Sequence, residues 1–378
     1  MTESIFIFAG ELSGDAHGEK LVRALRKKYP SLRIFGVAGP KMRHAGMETL
    51  IPLEKFEVMG FIDVLFALPR LIRQFLLLRN TLLETQPKVA LFIDYPGFSL
   101  ALAKSVRKRG FKGKICQYIC PSIWAWGKKR IPKMEKTLDH LFTIFPFETE
   151  LFDPQKLKVH YVGNPTKHEM IYHKHPPLRI DPKYRIIGLF PGSRKKELMR
   201  NFPIHLQVVK ELLNHHEDLF FVVSVAQAPF SLILDTLLKE HHIPKERFLF
   251  LDRSQNPSLM KQLTLAIAKS GTNNLELALH HVPTVVTYGI GPLDLFIAKT
   301  VLRIDLPFYC IANIIAGSQI FPELIGPHLT PRALFTHAHR FLSSEEAMKE
   351  CREKCREMDK LLEAKTPESE ILKILFDV

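Results

Sequence analysis

Short runs of apolar residues alternate with longer stretches in which apolar and polar residues recur at helical spacing. This alternation predicts parallel sheets whose consecutive strands are joined by helices. In the first half of the chain, the predicted strands are Ile5–Phe8, Leu32–Val37, Val89–Ile93, Ile115–Ile119, Leu141–Ile144 and Val159–Val162. A looser stretch rich in His, Pro and Tyr, from Asn164 to Lys183, predicts a linker. The alternation then restarts with predicted strands Ile186–Phe190, Leu219–Val225, Phe248–Leu251, Leu265–Ala268 and Thr284–Tyr288.

The pattern as a whole predicts an α/β protein with two Rossmann-like domains facing a central cleft and a helical tail. A chain of 378 residues is long for a single core. We expect a first domain over residues 1–165 and a second over residues 166–330. The tail, residues 331–378, is expected to pack back on the first domain or on a partner subunit. Within it, Thr330 and Thr366 each precede a proline, and Ser343 or Ser344 opens the intervening helix.

The first strand leads into an unusual loop, because carboxylates stand where a phosphate-binding loop would have bare N–H groups. Glu11 and Asp15 would repel a phosphate, so the loop is suited to holding hydroxyls or to accepting a proton. The alternative is helix capping, in which Ser13 or Asp15 caps the helix and Glu11 lies near its dipole. Leu21, Val22 and Leu25 lie on one face of the helix that follows.

Two further loops in the first half carry candidate chemistry. Asp94 directly follows the strand Val89–Ile93 and precedes Pro96 and Gly97. A carboxylate at a strand end suits a general base whose pKa is tuned by burial, although an ordinary Asp turn has the same pattern. The next strand leads to both tryptophans of the chain, at 124 and 126, and then to three cations at 128–130. Indoles offer flat faces for sugar or acyl packing, and cations bind phosphate.

The loops of the second half have the opposite character, with glycines and a cation. Gly192, Ser193 and Arg194 follow one strand and fit a diphosphate through backbone N–H groups and a guanidinium. The run Lys269–Glu276 contains a Ser-Gly-Thr turn that opens a helix, and Glu276 is placed to bind ribose hydroxyls. An ordinary helix cap with a solvent-facing acid is the alternative. Asn313 stands in an apolar setting, either as a ligand contact or as a buried, satisfied amide.

The charge is strongly positive, with 53 Lys and Arg against 39 Asp and Glu, or +14. Residues 100–136 hold eleven cations and one acid, Glu135. Such a balance indicates a polyanionic partner, namely nucleic acid, an anionic membrane or a phosphorylated substrate, or else simply solvated helix faces. The five cysteines are an odd number without a zinc pattern, which favours free thiols and a reducing cytosol. No signal peptide is expected, since the chain runs directly into a strand.

The stretch from Phe61 to Leu83 is unusually apolar for a surface helix, yet it contains Asp63, Pro69 and three arginines. It is too charged to span a membrane. It is either a helix packed in the core or a surface helix that dips into a bilayer with its arginines on headgroups.

Ten motifs, taken in order, make the chain similar to the lipid-A-disaccharide synthase family over nearly its whole length. They are AGELSGD, GVAGPKM, EVMGFIDV, FIDYPGF, PSIWAWGKKR, PFE, VGNP, PGSR, KSGTNNLE and NIIAG. The resemblance implies an inverting glycosyltransferase of the GT-B type that acts in lipid A assembly. It would transfer 2,3-diacylglucosamine from its UDP conjugate to the 6-hydroxyl of 2,3-diacylglucosamine 1-phosphate (lipid X), giving a β-1,6-linked tetraacyl disaccharide 1-phosphate and UDP.

The resemblance also implies roles for individual residues. Asp94 is the expected base that deprotonates the acceptor, and Glu11 is the rival. The expected UDP-binding residues are Gly192, Ser193, Arg194, Ser270, Gly271, Thr272, Glu276 and Asn313. The expected acceptor and lipid residues are Ser13, Met59, Trp124, Trp126, Lys129 and Arg130. The expected membrane contacts are Leu68, Ile72, Phe75 and Leu76.

Two departures from the family pattern matter. Gly97 stands where the family has a second Asp, so a two-carboxylate mechanism at that loop is not expected. Asn273 and Asn274 follow the Ser-Gly-Thr turn where the family has small residues, which changes the polarity of that pocket. No metal and no cofactor are expected. The expected partners are the two acylated substrates and an anionic membrane, with a homodimer left open.

By this resemblance the protein is cytoplasmic and peripheral on the inner membrane of a Gram-negative bacterium. Alternatives are another UDP-sugar enzyme of the same architecture, such as a 2-epimerase or a different lipid glycosyltransferase, and an inactive membrane-bound scaffold. A nucleic-acid-binding protein that uses the two tryptophans and the cations at 128–133 is disfavoured, because basic composition alone is a weak indicator.

Overall fold

In a computed structural model, which describes residues 3–56, 61–124, 127–172, 175–291, 295 and 306–376, the chain divides into two compact units. The first unit comprises residues 1–165 together with 364–378, and the second comprises residues 166–363. Each unit is built around its own parallel sheet with helices on both faces.

The first unit contains a seven-stranded sheet in the order β3-β2-β1-β4-β5-β6-β7. Its strands are β1 (Ser4–Ala9), β2 (Arg33–Ala38), β3 (Glu48–Pro52), β4 (Val89–Ile93), β5 (Lys114–Tyr118), β6 (His140–Thr143) and β7 (Lys158–Tyr161). Its helices are α1 (Leu12–Lys28), α2 (Pro40–His44), α3 (Phe61–Thr85), α4 (Pro96–Lys108) and α5 (Ile131–Glu135). The helix α14 (Pro367–Phe376), from the far end of the chain, completes it.

Strand β1 shows why this sheet is covered on both faces. Its side chains point alternately to opposite sides, so Phe6 and Phe8 pack in the cluster formed with α3 and α4. Ile5 and Ile7 pack in the cluster formed with α1 and α14. A strand buried on both faces is a continuous apolar run, which is how the sequence pattern detects it.

The second unit contains a six-stranded parallel sheet in the order β10-β9-β8-β11-β12-β13. Its strands are β8 (Arg185–Phe190), β9 (Leu219–Val225), β10 (Phe248–Asp252), β11 (Leu263–Lys269), β12 (Thr284–Tyr288) and β13 (Glu323–Ile325). Its helices are α6 (Pro165–Tyr172), α7 (Lys195–His215), α8 (Phe230–Glu240), α9 (Asn256–Met260), α10 (Asn273–Leu279), α11 (Ile311–Ala316), α12 (Pro331–Ser343) and α13 (Glu345–Leu361). Both sheets therefore have the doubly wound order that the alternation predicts.

All eleven predicted strands are present, with bounds that differ by no more than two residues, but some elements differ from the prediction. Strands β3 and β13 were not predicted, and α6 lies inside the predicted linker. The tail also differs. Only α14 packs on the first unit, where it contacts α1, whereas α12 and α13 pack on α7 and α10 in the second unit.

The predicted helix caps are present in the tail but not at the start of α1. Thr330 accepts the N–H of Ala333, and Ser344 accepts that of Ala347, so both cap their helices as predicted. Neither Ser13 nor Asp15 caps α1. The buried Asp15 carboxylate instead accepts the backbone N–H groups of Lys41 and Met42, at 2.9 and 3.0 Å, and so caps α2.

Within the described ranges, no helix has the length and hydropathy needed to cross a bilayer. All five cysteines are buried and unpaired.

Candidate functional site

Each sheet has one point at which the strand order reverses, and four of the candidate loops begin there. In the first sheet this point lies between β1 and β4, which end at the loops of Glu11 and Asp94. In the second it lies between β8 and β11, which end at the loops of Gly192 and Ser270. Ligands of open α/β sheets bind outside the carboxyl ends of strands at this reversal.

The loop after β4 is held in a rare backbone conformation. Asp94 and Tyr95 are consecutive left-handed residues, with φ of 51° and 54°. Such strain persists where the surroundings enforce it, and here several hydrogen bonds do so. The backbone oxygen of Asp94 accepts from Ser99 Oγ at 3.1 Å and from the buried Gln117 Nε2 at 3.2 Å. The Asp94 N–H donates to the oxygen of Tyr118 at 3.1 Å.

The pKa of the Asp94 carboxyl is shifted in this loop. Burial raises the pKa of its carboxyl, although the Tyr95 N–H, 2.8 Å from Oδ1, opposes that rise. Burial also raises the pKa of Tyr95, and the negative charge of Glu11 adds to the effect, so Glu11 and Tyr95 are close. Glu11 and Tyr95 also line one cavity, and Asp94 directly precedes Tyr95 in the chain.

An apolar cavity of about 490 Å³ opens beside these loops. Helix α3 contributes Leu68, Leu71, Ile72 and Phe75 to it, and the start of α4 contributes Tyr95, Pro96, Gly97, Phe98 and Ala101. Glu11 is its charged lining residue. A Cβ placed on Gly97 would meet no atom within 4 Å, so the glycine leaves the cavity wide at this point. The cavity has the size of typical small-molecule sites, about 300–1,000 Å³.

Helix α3 is both a core helix and a surface helix. Leu78 and Leu82 are buried, and Phe75 packs edge-on against Phe98. The opposite side exposes large apolar side chains, with Leu76 41% and Leu77 52% exposed. Of the predicted membrane contacts, Leu68, Ile72 and Leu76 are therefore exposed and Phe75 is partly buried against the core.

Trp124 is oriented by a buried carboxyl that is not among the predicted site residues. Glu148, in the PFE motif, accepts hydrogen bonds from the Trp124 indole and from the backbone N–H groups of Ile144 and Phe145. Burial raises the pKa of Glu148 to about 8. Phe147 lies edge-on to the indole, at 5.9 Å between ring centres.

Three cations of the first unit lie close to one another. Burial and the charges of Lys104 and Arg130 lower the pKa of Lys133, so these three groups are close together. Lys129 and Ser13 are exposed. Met59 and Trp126, the other predicted acceptor residues, lie outside the described residues.

In the second unit, a cavity of about 110 Å³ lies at the loops after β8 and β11. Of the predicted UDP-binding residues, it brings together Gly192, Ser193, Gly271 and Thr272. Arg194 is absent from its lining. That side chain is 83% exposed and reaches Glu197 at 3.4 Å. Ser270 Oγ donates to the backbone oxygen of Tyr309 at 3.3 Å.

Lys269 and Glu197 also line this cavity, although neither was predicted as a site residue. Lys269 Nζ lies 3.2 Å from Glu197 Oε1, and Ser193 N–H donates to Glu197 Oε2 at 3.1 Å. Burial alone would raise the pKa of Glu197, but Lys269, the Ser193 N–H and Arg194 together outweigh it and lower that pKa. Glu197 is therefore ionised inside a predicted anion site.

Glu276 faces a different cavity, of about 220 Å³, lined also by Glu169, Pro257, Lys261 and His280. Burial raises the pKa of Glu276 and lowers that of His280 to about 4. The structure therefore does not place Glu276 in the cavity of Ser193 and Gly271.

Asn313 has the features of the second alternative given for it, a buried amide whose hydrogen bonds are made within the protein. It is fully buried, and its Oδ1 accepts the N–H groups of Ile320 and Phe321, both at 2.9 Å. Its Nδ2 donates to the oxygen of Phe321 and to Glu323. These four hydrogen bonds hold the segment that leads into β13. They use both N–H groups and both oxygen lone pairs of the amide, so none remains for a nucleotide.

The described residues contain no group of three or more His, Cys, Asp or Glu side chains that could hold a metal ion.

Comparison with protein families and curated proteins gives a consistent result. A family model described as lipid-A-disaccharide synthetase matches residues 5–373. A lipid-A-disaccharide synthase of Chlamydia pneumoniae is 37% identical, with 98% of this chain and 62% of the relative covered. One of Chlamydia trachomatis serovar D is 40% identical, covering 86% and 54%. The chain thus spans 54 to 62% of the length of these chlamydial relatives. One of Geobacter sulfurreducens is 32% identical, covering 90% and 89%.

Solved structures share the fold at low sequence identity. A putative UDP-N-acetylglucosamine 2-epimerase from Listeria monocytogenes aligns with a TM-score of 0.67 at 14% identity, covering all of this chain and 96% of that one. A glycosyltransferase from Rickettsia africae aligns with a TM-score of 0.57 at 12% identity, covering 100% and 98%. At such identities the likeness concerns the GT-B type of fold alone.

Proposed function

Because the chain belongs to the lipid-A-disaccharide synthetase family, we propose that it is an inverting hexosyltransferase of lipid A biosynthesis. The donor is UDP-2,3-diacylglucosamine and the acceptor is 2,3-diacylglucosamine 1-phosphate. The products are the β-1,6-linked tetraacyl disaccharide 1-phosphate and UDP.

The apolar cavity beside Glu11 and Tyr95 is the observation that carries this proposal. Enzymes that act on soluble UDP-sugars have no need for a cavity of about 490 Å³ lined by Leu, Ile and Phe next to a carboxylate. An acyl chain that leaves a glucosamine ring held at these loops would bury its methylene groups against α3 and α4. Each buried methylene is worth about 0.8 kcal/mol, so the cavity favours an acylated acceptor over an unacylated one.

Asp94 is the proposed base. It takes the proton of the acceptor 6-hydroxyl as that oxygen forms its bond to the anomeric carbon, while the bond from that carbon to the UDP oxygen breaks. The electron pair of the broken bond leaves with UDP. A carboxyl whose pKa is raised by burial is a better base near neutral pH than a solvated one. Glu11 remains the rival, since it lines the cavity.

The diphosphate of the donor and the phosphate of the acceptor have separate candidate binding positions. Gly192, Ser193, Gly271 and Thr272 offer backbone N–H groups and a hydroxyl to the UDP diphosphate. The cations Lys104, Arg130 and Lys133, which lie close together, suit the anomeric phosphate of the acceptor.

We further propose that the exposed side of α3 rests on the cytoplasmic face of the inner membrane. Leu68, Leu76 and Leu77 are exposed there, and Arg70 and Arg73 flank them. Apolar side chains that enter the acyl boundary, together with arginines on anionic headgroups, are the pattern of an interfacial helix. This contact would bring the cavity to the bilayer that contains both substrates.

The test is a transfer assay with the purified protein, the acylated donor and the acylated acceptor in detergent micelles. We expect UDP release matched by disaccharide formation. Asp94→Asn should lower kcat by about a hundredfold or more, the usual contribution of a general base. Asp153→Asn, at a partly exposed carboxylate of the same unit that lines neither of these two cavities, is the matched control and should leave the rate unchanged.

Other outcomes lead elsewhere. Full activity in Asp94→Asn combined with loss in Glu11→Gln would transfer the base role to Glu11. Turnover of unacylated UDP-N-acetylglucosamine to its 2-epimer, without disaccharide, would overturn the proposal in favour of an epimerase.

A further inference from the structure

Lys269 is an unusual cation for a strand end, because it is largely shielded from water and faces a cavity. It is the last residue of β11, and its side chain is 17% exposed. Its ammonium lies 4.8 Å from the centre of the Tyr288 ring and 3.2 Å from Glu197 Oε1. Arg253, the other cation that lines the cavity among the described residues, is exposed.

Glu197 occupies the position that an anionic ligand would take in this cavity. Its carboxylate accepts both the Ser193 N–H and the Lys269 ammonium. A backbone N–H of a glycine-bearing loop and a lysine are the two kinds of donor that phosphate-binding loops use. The fit depends on Gly192, since a Cβ at that residue would lie 2.6 Å from Glu197 Cβ.

The exposure of the charged side chains in this cavity determines how strongly each of them would interact with a diphosphate. A shielded ammonium attracts an anion more strongly than an exposed one, because less water screens it. Lys269, not the 83% exposed Arg194, therefore offers the stronger attraction to phosphate within the cavity. Glu197, 11% exposed, is a fixed negative charge beside that ammonium, and it must share or yield its donors when a second anion enters.

We propose that Lys269 binds the diphosphate of the UDP group and that Glu197 is a resident counter-ion which competes with the diphosphate for the Lys269 ammonium and the Ser193 N–H. The competition keeps the affinity for UDP moderate, so that the product leaves after transfer. This inference rests on the proposed function, because it takes a UDP conjugate as the donor.

The experiment measures the dissociation constants of uridine, UMP and UDP by calorimetry, without an acceptor. Lys269→Met should weaken UDP binding by about ten- to a hundredfold, the range for a lost charged hydrogen bond. It should leave uridine binding unchanged. Glu197→Gln keeps the shape and the acceptor oxygen but removes the charge, and should tighten UDP binding several-fold and lower the inhibition constant of UDP in the transfer assay. Lys196→Met is the control, because Lys196 is exposed and lies next to Glu197 on α7.

A double variant separates ligand binding from mere support of Glu197. If Lys269 contacts the diphosphate, Lys269→Met weakens UDP binding in the Glu197→Gln background as well. If that effect disappears there, Lys269 acts only by holding Glu197 and the inference is wrong. Weaker UDP binding in Glu197→Gln would equally overturn the counter-ion role.

The same data distinguish the two proposals. A protein that shows these effects on UDP but forms no disaccharide would refute the proposed function and keep the inference. If the protein forms the disaccharide but its affinity for UDP does not change in Lys269→Met and Glu197→Gln, the proposed function is supported and the inference is wrong. A wild-type protein that binds no UDP would overturn both.

Discussion

Burial raises the pKa of two carboxyls in the first unit, those of Asp94 and Glu148, with different consequences. The raised pKa of Asp94 serves proton transfer in the proposed reaction, and its chain neighbour Tyr95 lines the apolar cavity. Glu148 is fully enclosed, and its partners are the Trp124 indole and two backbone N–H groups. Its burial therefore makes the stability of the Trp124 loop dependent on pH.

Glu148→Gln is expected to remove one component of that dependence. In the folded protein the pKa of the Glu148 carboxyl is about 8, whereas in the unfolded chain it has its ordinary value of 4.5. The folded state thus binds more protons between these values, so the free energy of unfolding falls as the pH rises. For one group the slope is at most about 1.4 kcal/mol per pH unit. Denaturant unfolding at pH 5, 6.5 and 8 measures it.

The difference in unfolding free energy between wild type and variant should shift with pH in favour of the variant. Parallel curves for the two proteins would show that Glu148 does not titrate in this window.

The sequence predicts candidate residues that lie at the ends of strands. It does not predict roles that depend on contacts between residues far apart along the chain. Asp94 and Gly192 are predictable because each follows an apolar run at a strand end. The structural role of Asn313 depends on the segment 320–323, and Asp15 caps a helix that begins 25 residues later, at Pro40. Lys269 belongs to a recognised motif, but only its distance to Glu197 shows that the two charges share a cavity.

At the scale of elements, α3 combines two roles that a sequence pattern cannot separate. Apolar residues cover most of its circumference, and the pattern is the same for a core helix and for an interfacial one. The structure assigns Leu78 to the core and exposes its neighbours Leu76 and Leu77. Adjacent positions therefore allow the two roles to be tested independently.

Leu76→Ser and Leu77→Ser, alone or together, should weaken binding to vesicles that contain anionic phospholipid. Neither residue lines the apolar cavity, and exposed substitutions usually change the free energy of unfolding by no more than about 0.5 kcal/mol. Leu78→Ser should instead cost about 2–5 kcal/mol, the range for emptying a core position. Vesicle co-sedimentation and denaturant unfolding, run on all the variants, measure both effects.

Unchanged vesicle binding in the double variant would show that this side of α3 does not contact lipid. Leu78→Ser is the control that reports on folding.

The strands that the sequence missed share a physical cause. Strand β3 contains Glu48 and Pro52, and β13 has only three residues. Both are edge strands, where one side of the backbone is unpaired and the side chains need not be uniformly apolar. The interior strands, buried on both faces, leave the continuous runs that make them predictable.

At the scale of the molecule, the first unit is assembled from distant parts of the chain. Helix α14 buries Ile371, Leu372 and Leu375 in the core cluster that contains β1 and α1. The rings of Tyr29 and Phe376 lie 4.7 Å apart. The sequence predicted a helix here, but nothing local indicates that α12 and α13 stay with the second sheet while α14 returns to the first.

Ending the chain after Glu363 should destabilise the first unit selectively. Each of the three buried side chains contributes about 1.5–3 kcal/mol, so hydrogen exchange should rise along α1 and β1. Exchange in β8, β9 and β11 should stay as in the intact protein. A chain that ends after Phe376 is the control. Equal loss of protection in both sheets, or no loss in either, would contradict the selective effect.

The return of α14 also has a consequence for how the protein is made. The strands of the first sheet leave the ribosome early, but their last covering helix is translated only after the whole of the second unit. At about 5–20 residues per second, the roughly 200 residues between them take about 10–40 s. During that time the apolar face of α1 is open to chaperones, to lipid and to neighbouring nascent chains. Helix α14, which follows the second unit along the chain, thus covers a sheet whose strands precede that unit, so folding of the two units cannot simply follow the order of translation.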